Sequence, residues 1–186
     1  IGDHLQKDDQ KGGTFAKSTF AITSAGSLTM SGGDLTSTSG NVVVTGAVNI
    51  SSVASAIDFG SETWTISGSW TNASNDFTVW DEGTATVVFD SATGATLNVG
   101  DIGASQAEFF NMTVNSTGAT QQTFTFTASD ILTMSASGLL TITDTSGGTI
   151  LNLSSGRVVG PDLTISGTVS SGISNSTSDS RFVDVS

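Results

Sequence analysis

Cysteine is absent from this 186-residue chain, so neither disulfides nor thiolate metal ligands can contribute to it. Histidine is nearly absent: His4 stands alone in a polar segment, where it reads as solvated, and it has no partner for a triad or a His-based metal site. Basic residues number five, Lys7, Lys11, Lys17, Arg157 and Arg181, against 17 acidic ones, for a net charge of −12. Phosphate recognition draws on clustered Lys and Arg, so nucleic acid and anionic membrane surfaces are not expected partners. No apolar run approaches the roughly 18 residues of a membrane span, and no membrane insertion is expected. HExxH, GxSxG, P-loop and GxGxxG motifs are also missing. Ile1 opens no signal-peptide pattern, and Lys and Glu are scarcer than a cytosolic protein carries. The expected location is therefore extracellular or cell-surface, with a leader peptide already removed.

Charged residues make up only 12 % of the chain, about half the usual share. Their place is taken by Ser and Thr, together roughly a third of the residues, and by 22 Gly. Such a mixture can be disordered, but Val, Ile, Leu, Phe and Trp recur in short runs along nearly the whole length and supply the means to collapse. Helix is disfavoured, because Thr, Val and Ile are stiff at χ1, Ser and Asn compete for backbone hydrogen bonds, and Gly costs backbone entropy. The same β-branched and aromatic residues suit a pleated surface, so the expectation is an all-β protein. The first thirteen residues, polar and charge-dense, read as an N-terminal arm, and residues 14–186 read as a single all-β domain.

Strand-like runs of four to eight residues end in Gly, Ser, Asn or Asp. Some alternate strictly, as in Thr123-Phe124-Thr125-Phe126-Thr127, which sets both Phe on one face. An apolar–Thr–apolar–Ser–Gly pattern recurs at Leu28 to Gly32, Trp64 to Gly68 and Leu163 to Gly167, with weaker copies at Val43-Val44-Thr45-Gly46, Met112 to Asn115 and Leu132 to Ser135. Several copies lie on the order of 20–25 residues apart, about one turn of a parallel β-solenoid, although the spacing is irregular. A parallel β-solenoid is the leading expectation, and a β-sandwich or jelly roll with strand exchange between subunits is the alternative. Inward positions are expected to include Met30, Val44, Trp64 or Trp70, Ile66, Phe89, Met112, Phe124, Phe126, Met134 and Ile165.

The stretch Gly68-Ser69-Trp70-Thr71-Asn72, followed by GTATVVFDSATGATLN at 83–98, FFNMTVNSTGAT at 109–120 and ILTMSASGLLTI, resembles the Thr/Asn/Gly-rich β-repeats of prokaryotic cell-surface proteins. The resemblance covers roughly residues 60–170. It implies a β-solenoid of the kind found in adhesins, S-layers and extracellular filaments. A sequon-rich chain without cysteine suits an archaeal surface.

Asn-X-Ser/Thr sequons occur at Asn49, Asn72, Asn111, Asn115, Asn152 and Asn175, six of nine asparagines. Chance in so Ser/Thr-rich a chain yields about three, so N-linked glycans are expected partners on several of the six. No metal or other cofactor is required. Ca²⁺ is the one cofactor the sequence admits, through scattered carboxylates and a single partial GGxGxDxUx copy at Gly32-Gly33-Asp34-Leu35.

The adjacent pairs Asp8-Asp9 and Asp81-Glu82 are the candidates for polysaccharide cleavage, but neighbours on a strand point to opposite faces, so they read as turn and surface acids. Trp64, Trp70 and Trp80 could form sugar platforms, although a strand core uses Trp equally well. Thr-X-Thr at Thr84-Ala85-Thr86, 123–127 and 141–145 admits ice binding. That reading needs one flat Thr array in register over many turns, which irregular spacing argues against.

The leading functional expectation is a non-catalytic structural subunit of an extracellular filament, pilus-like fibre or surface layer, polymerising with copies of itself. The alternative is a carbohydrate-binding or carbohydrate-cleaving solenoid, with ice binding behind it. Thr14, Phe15, Phe20 and Ile22 form an apolar segment behind the polar arm and are the candidates for a strand donated to the next subunit.

Overall fold

The structure, a computed structural model, describes residues 9–10, 14–17, 21–37, 39–51, 55–73, 80–99, 107–127, 131–145, 147–159, 162–166, 171–174 and 182–183. Every regular element among them is a β-strand and every pairing is parallel. The chain is a β-solenoid with three sides, not a sandwich. Its first side is an eight-stranded sheet: Asp9–Gln10, Leu28–Met30, Val48–Ile50, Trp70–Asn72, Ala95–Asn98, Gln122–Phe126, Thr149–Asn152 and Gly172–Ser174. The second side stacks Ile22–Ser24, Val42–Val44, Thr63–Ile66 and Thr86–Ser91, then the trailing halves of Ala107–Ser116 and Ile131–Asp144, then Asp162–Ser166. The third side begins as a four-stranded sheet, Thr14–Lys17, Gly33–Ser37, Ser55–Asp58 and Trp80–Asp81. The same place in the chain order is later taken by the leading halves of Ala107–Ser116 and Ile131–Asp144, with Arg157–Val159 and Phe182–Val183 stacked on them.

The first side reaches into the segment expected to be an arm, since Asp9 and Gln10 pair with Thr29 and Met30.

The irregular spacing has a geometric origin. Down the second side Ile22 pairs with Val42, Val42 with Trp64, Trp64 with Val87, Val87 with Met112, Met112 with Leu140 and Leu140 with Leu163. Successive turns therefore take 20, 22, 23, 25, 28 and 23 residues. Strands lengthen as the turns do, from three residues in Ile22–Ser24 to six in Thr86–Ser91. The recurring motif also falls on all three sides and so does not count turns: Leu28–Met30 belongs to the first side, Thr63–Ile66 to the second and residues 132–134 to the third.

In most described strands apolar residues face the axis and Thr residues face out, as the period of two requires, with buried Thr149 and outward Val43, Val88 and Leu139 as exceptions. Met30, Val44, Trp64, Ile66, Trp70, Phe89, Met112, Phe124, Phe126 and Met134 are all buried. Phe59, Trp64, Trp70, Phe89 and Phe109 fill the wider middle turns. Phe59 meets Trp64 edge-on at 4.9 Å, and Phe109 meets Trp70 at 5.9 Å. Edge-to-face contacts of this kind add to burial, and truncating one such ring typically costs ~3–5 kcal/mol.

Ile165 departs from its expected burial. It continues the inward column above Ile142, yet it is 47 % exposed, because among the described residues no further strand stacks on Asp162–Ser166.

The corner after the second side explains the Gly that ends the motif. A Cβ on Gly68 would lie 2.5 Å from the backbone of Gly46, whose own Cβ would lie 2.7 Å from that of Gly26. Backbones stack too closely there for any side chain.

Candidate functional site

A feature that repeats through seven successive turns is the outer surface of the second side. Register aligns Thr23, Thr65, Thr113, Thr141 and Thr164 in one column, with Val43 and Val88 at the two intervening turns. Every position in the column is β-branched. Thr65 points out because Trp64 and Ile66, on either side of it, are buried; Thr141 lies likewise between Leu140 and Ile142. One flanking column runs Thr63, Thr86, Asn111, Leu139 and Asp162, and the other Asp90, Asn115, Thr143 and Ser166. Side chains within the flanks are tied together: Asn111 Nδ2 donates to Thr86 Oγ1 at 3.4 Å, and Asn115 Nδ2 donates to Asp90 Oδ1 at 3.0 Å. The sequence-level objection to a Thr array is thus overturned, since unequal turns still stack in register. Longer strands and the corners between them absorb the extra residues.

These contacts also place the sequons. Asn111 and Asn115 lie half-buried on the outer face just described, and Asn49 lies on the outer face of the first side beside Thr29 and Thr71. Asn152 is half-buried and its Oδ1 accepts from Ser154 N at 2.9 Å. Asn72 is a correction: it is fully buried, with Nδ2 donating to Val99 O at 3.4 Å, and a glycan on it is incompatible with this fold. Asn175 lies outside the described residues.

The residues expected to form a donated strand lie as follows. Thr14 and Phe15 belong to Thr14–Lys17, which pairs with Gly33–Ser37 of its own chain. Ile22 packs in its own core opposite Val42. Phe20 lies outside the described residues.

Among the acids, Asp81 stacks beside Asp58, and each makes a turn: Asp58 Oδ1 accepts from Gly60 N at 2.9 Å, and Asp81 Oδ1 from Gly83 N at 3.0 Å. Asp81 and Asp34 are exposed, Glu82 is half-buried, and His4 and Asp8 lie outside the described residues. No group of three or more His, Cys, Asp or Glu able to hold a metal ion occurs among the described residues. Trp64 and Trp70 are buried in the core and are not sugar platforms, while the side chain of Trp80 lies outside the description.

Two buried polar arrangements escaped the sequence. Glu62 is buried at the corner between the third and second sides, where Oε2 accepts from Ser37 Oγ at 3.2 Å and from Ser61 N at 3.0 Å. Its Oε1 is buried without a partner. At the corner between the second and first sides, Thr149 Oγ1 accepts from Ser116 N at 2.9 Å and donates to Thr143 O. Thr149 N in turn donates to Ser171 Oγ at 3.0 Å, and Ser171 Oγ to Asp144 Oδ2 at 2.8 Å. The available signal was a lone acid directly before a Thr-Trp-Thr-Ile strand, in a chain this poor in charge.

Comparison with family models, with curated proteins and with solved structures returns no match, so the resemblance to surface β-repeats rests on the motifs of residues 60–170 alone.

Proposed function

We propose that the chain is a non-catalytic structural element of an extracellular filament, fibre or surface layer. The observation that carries this reading is the unbroken stacking of parallel strands. The first side alone is eight strands deep, which at about 4.8 Å per strand makes a rod about 34 Å long. Its outer faces carry mostly hydroxyls and amides. A surface of that kind stays soluble with little charge, and the half-buried, outward sequons at Asn49 and Asn152 offer places for glycans that would add to this.

Assembly in this reading is end to end. With Thr14–Lys17 paired inside its own chain, a donated strand is replaced by the stacking of whole turns. The last described strand of the second side, Asp162–Ser166, is paired on one edge among the described residues, and Ile165 there is 47 % exposed. An open edge with apolar groups at the end of a solenoid favours continuation by another turn. Head-to-tail stacking gives an open fibre.

Electron microscopy of the purified chain across a concentration series tests this, together with Ile165→Asp. Filaments that the substitution abolishes are expected. A wild-type chain that stays monomeric throughout, or filaments that Ile165→Asp leaves intact, would sink the end-to-end reading.

A further inference from the structure

The outer face of the second side has a property that a structural rod does not need: a two-dimensional lattice whose central column is uncharged and β-branched at every turn, with Asp90 and Asp162 as the acids of its flanks. Along a column, groups repeat at the strand separation of about 4.8 Å, and along a strand, outward groups repeat every two residues, about 6.6 Å. Each Thr presents a methyl group and a hydroxyl that both donates and accepts. Where Val replaces Thr, at Val43 and Val88, the shape and the methyl are kept. The stiff χ1 of β-branched residues and the Asn111–Thr86 and Asn115–Asp90 hydrogen bonds hold the array in one arrangement before anything binds.

The chemistry narrows the ligand. The three columns contain no cation, so an acidic polymer finds no counter-charge, and no aromatic ring, so a sugar finds no stacking platform. What fits a column of methyls and hydroxyls held in register over seven turns is water already held in a lattice. The methyls order the adjoining water layer and the hydroxyls take places in its hydrogen-bond network. Oxygen rows on the surface planes of ice repeat close to the strand separation. We propose that the outer face of the second side binds ice, with Thr65, Thr113 and Thr141 at its centre.

Ice-affinity partitioning of the full chain, in which protein is either taken into a growing ice body or left in the liquid, tests the proposal. The paired variant Thr113→Tyr and Thr141→Tyr raises bulk on the face, and Thr71→Tyr does the same on the first side as a control. Circular dichroism and gel filtration establish that each variant keeps its fold. If the tyrosine pair unfolds the chain, Thr113→Lys with Thr141→Lys takes its place. Uptake into ice by the wild type and by Thr71→Tyr, with loss of uptake in the paired variant, is the expected result. Exclusion of the wild type to the same degree as serum albumin overturns the proposal, as does equal uptake of both variants. Retention on insoluble cellulose or chitin without uptake into ice would likewise overturn it, and would assign the face to a crystalline polymer.

Discussion

Ser37 Oγ donates a hydrogen bond to Glu62 Oε2 at 3.2 Å, joining residues 25 apart in sequence inside the corner of two successive turns. Ser61 N donates to the same oxygen, and the other carboxylate oxygen is buried without a partner. One half of the carboxylate therefore acts as a clamp, while the other half bears a desolvation cost.

Glu62→Gln keeps an acceptor for Ser37 and Ser61 and removes the buried charge, so stability is expected to hold or rise. Glu62→Ala strands both donors and is expected to lose about 1–3 kcal/mol. Urea unfolding midpoints distinguish the two. A Gln variant as unstable as the Ala variant means that the charge itself is used.

Thr149 offers an isosteric test. Thr149→Val keeps the volume but removes the acceptor for Ser116 N and the donor to Thr143 O, in a corner where Ser116 and Thr149 are fully buried. A loss of about 1–3 kcal/mol is expected from the stranded backbone groups, read by denaturant or thermal unfolding. A change within about 0.5 kcal/mol, the usual range for surface sites, would show that the corner is held by other contacts.

Glycines that look alike in sequence should behave differently. Gly68→Ala puts a Cβ 2.5 Å from the backbone of Gly46, which cannot yield as a side chain could, whereas Gly26→Ala meets nothing within 4 Å. Gly68→Ala should lower the melting temperature by several degrees, and Gly26→Ala should leave it within a degree or so. Equal effects of the two would contradict the stacked-corner geometry.

Peptide mapping of chain made in a host that glycosylates is expected to find glycans on Asn49 or Asn152, and none on Asn111 and Asn115, whose amides bond Thr86 and Asp90, or on Asn72, whose amide is enclosed. A glycan on Asn72 in folded protein would refute its placement. A bare chain at 18.8 kDa would remove glycosylation as support for an extracellular role.

Much of the fold was legible because direction alternates with composition. Thr-Phe-Thr-Phe-Thr at 123–127 places Phe124 and Phe126 inside, and Trp64-Thr65-Ile66-Ser67-Gly68 spells inside, outside, inside, corner. What the pattern does not carry is which of three sides a copy occupies, because all three use the same alternation. Alternation also gives Ile165 an inward direction without saying whether another turn lies over it. In the same way, an apolar strand behind a polar arm reads alike whether it pairs at home, as Thr14–Lys17 does, or with a neighbour. The Thr column was hidden for a different reason. Longer strands and insertions at corners alter spacing while leaving register intact, and only spacing is visible in one dimension. Glu62 needed the third dimension too, since its corner position is equivalent to that of Ala85 one turn on and no sequence period links them.

The unequal turns have a mechanical consequence. Pulled from its two termini, a solenoid sheds turns one after another, because each is bound chiefly to its neighbours. A released turn of 20 residues lengthens the tether by about 70 Å and one of 28 residues by about 95 Å, at ~3.4 Å per extended residue. A force–extension trace would then carry steps of graded size, and the size of each step would identify the turn that let go.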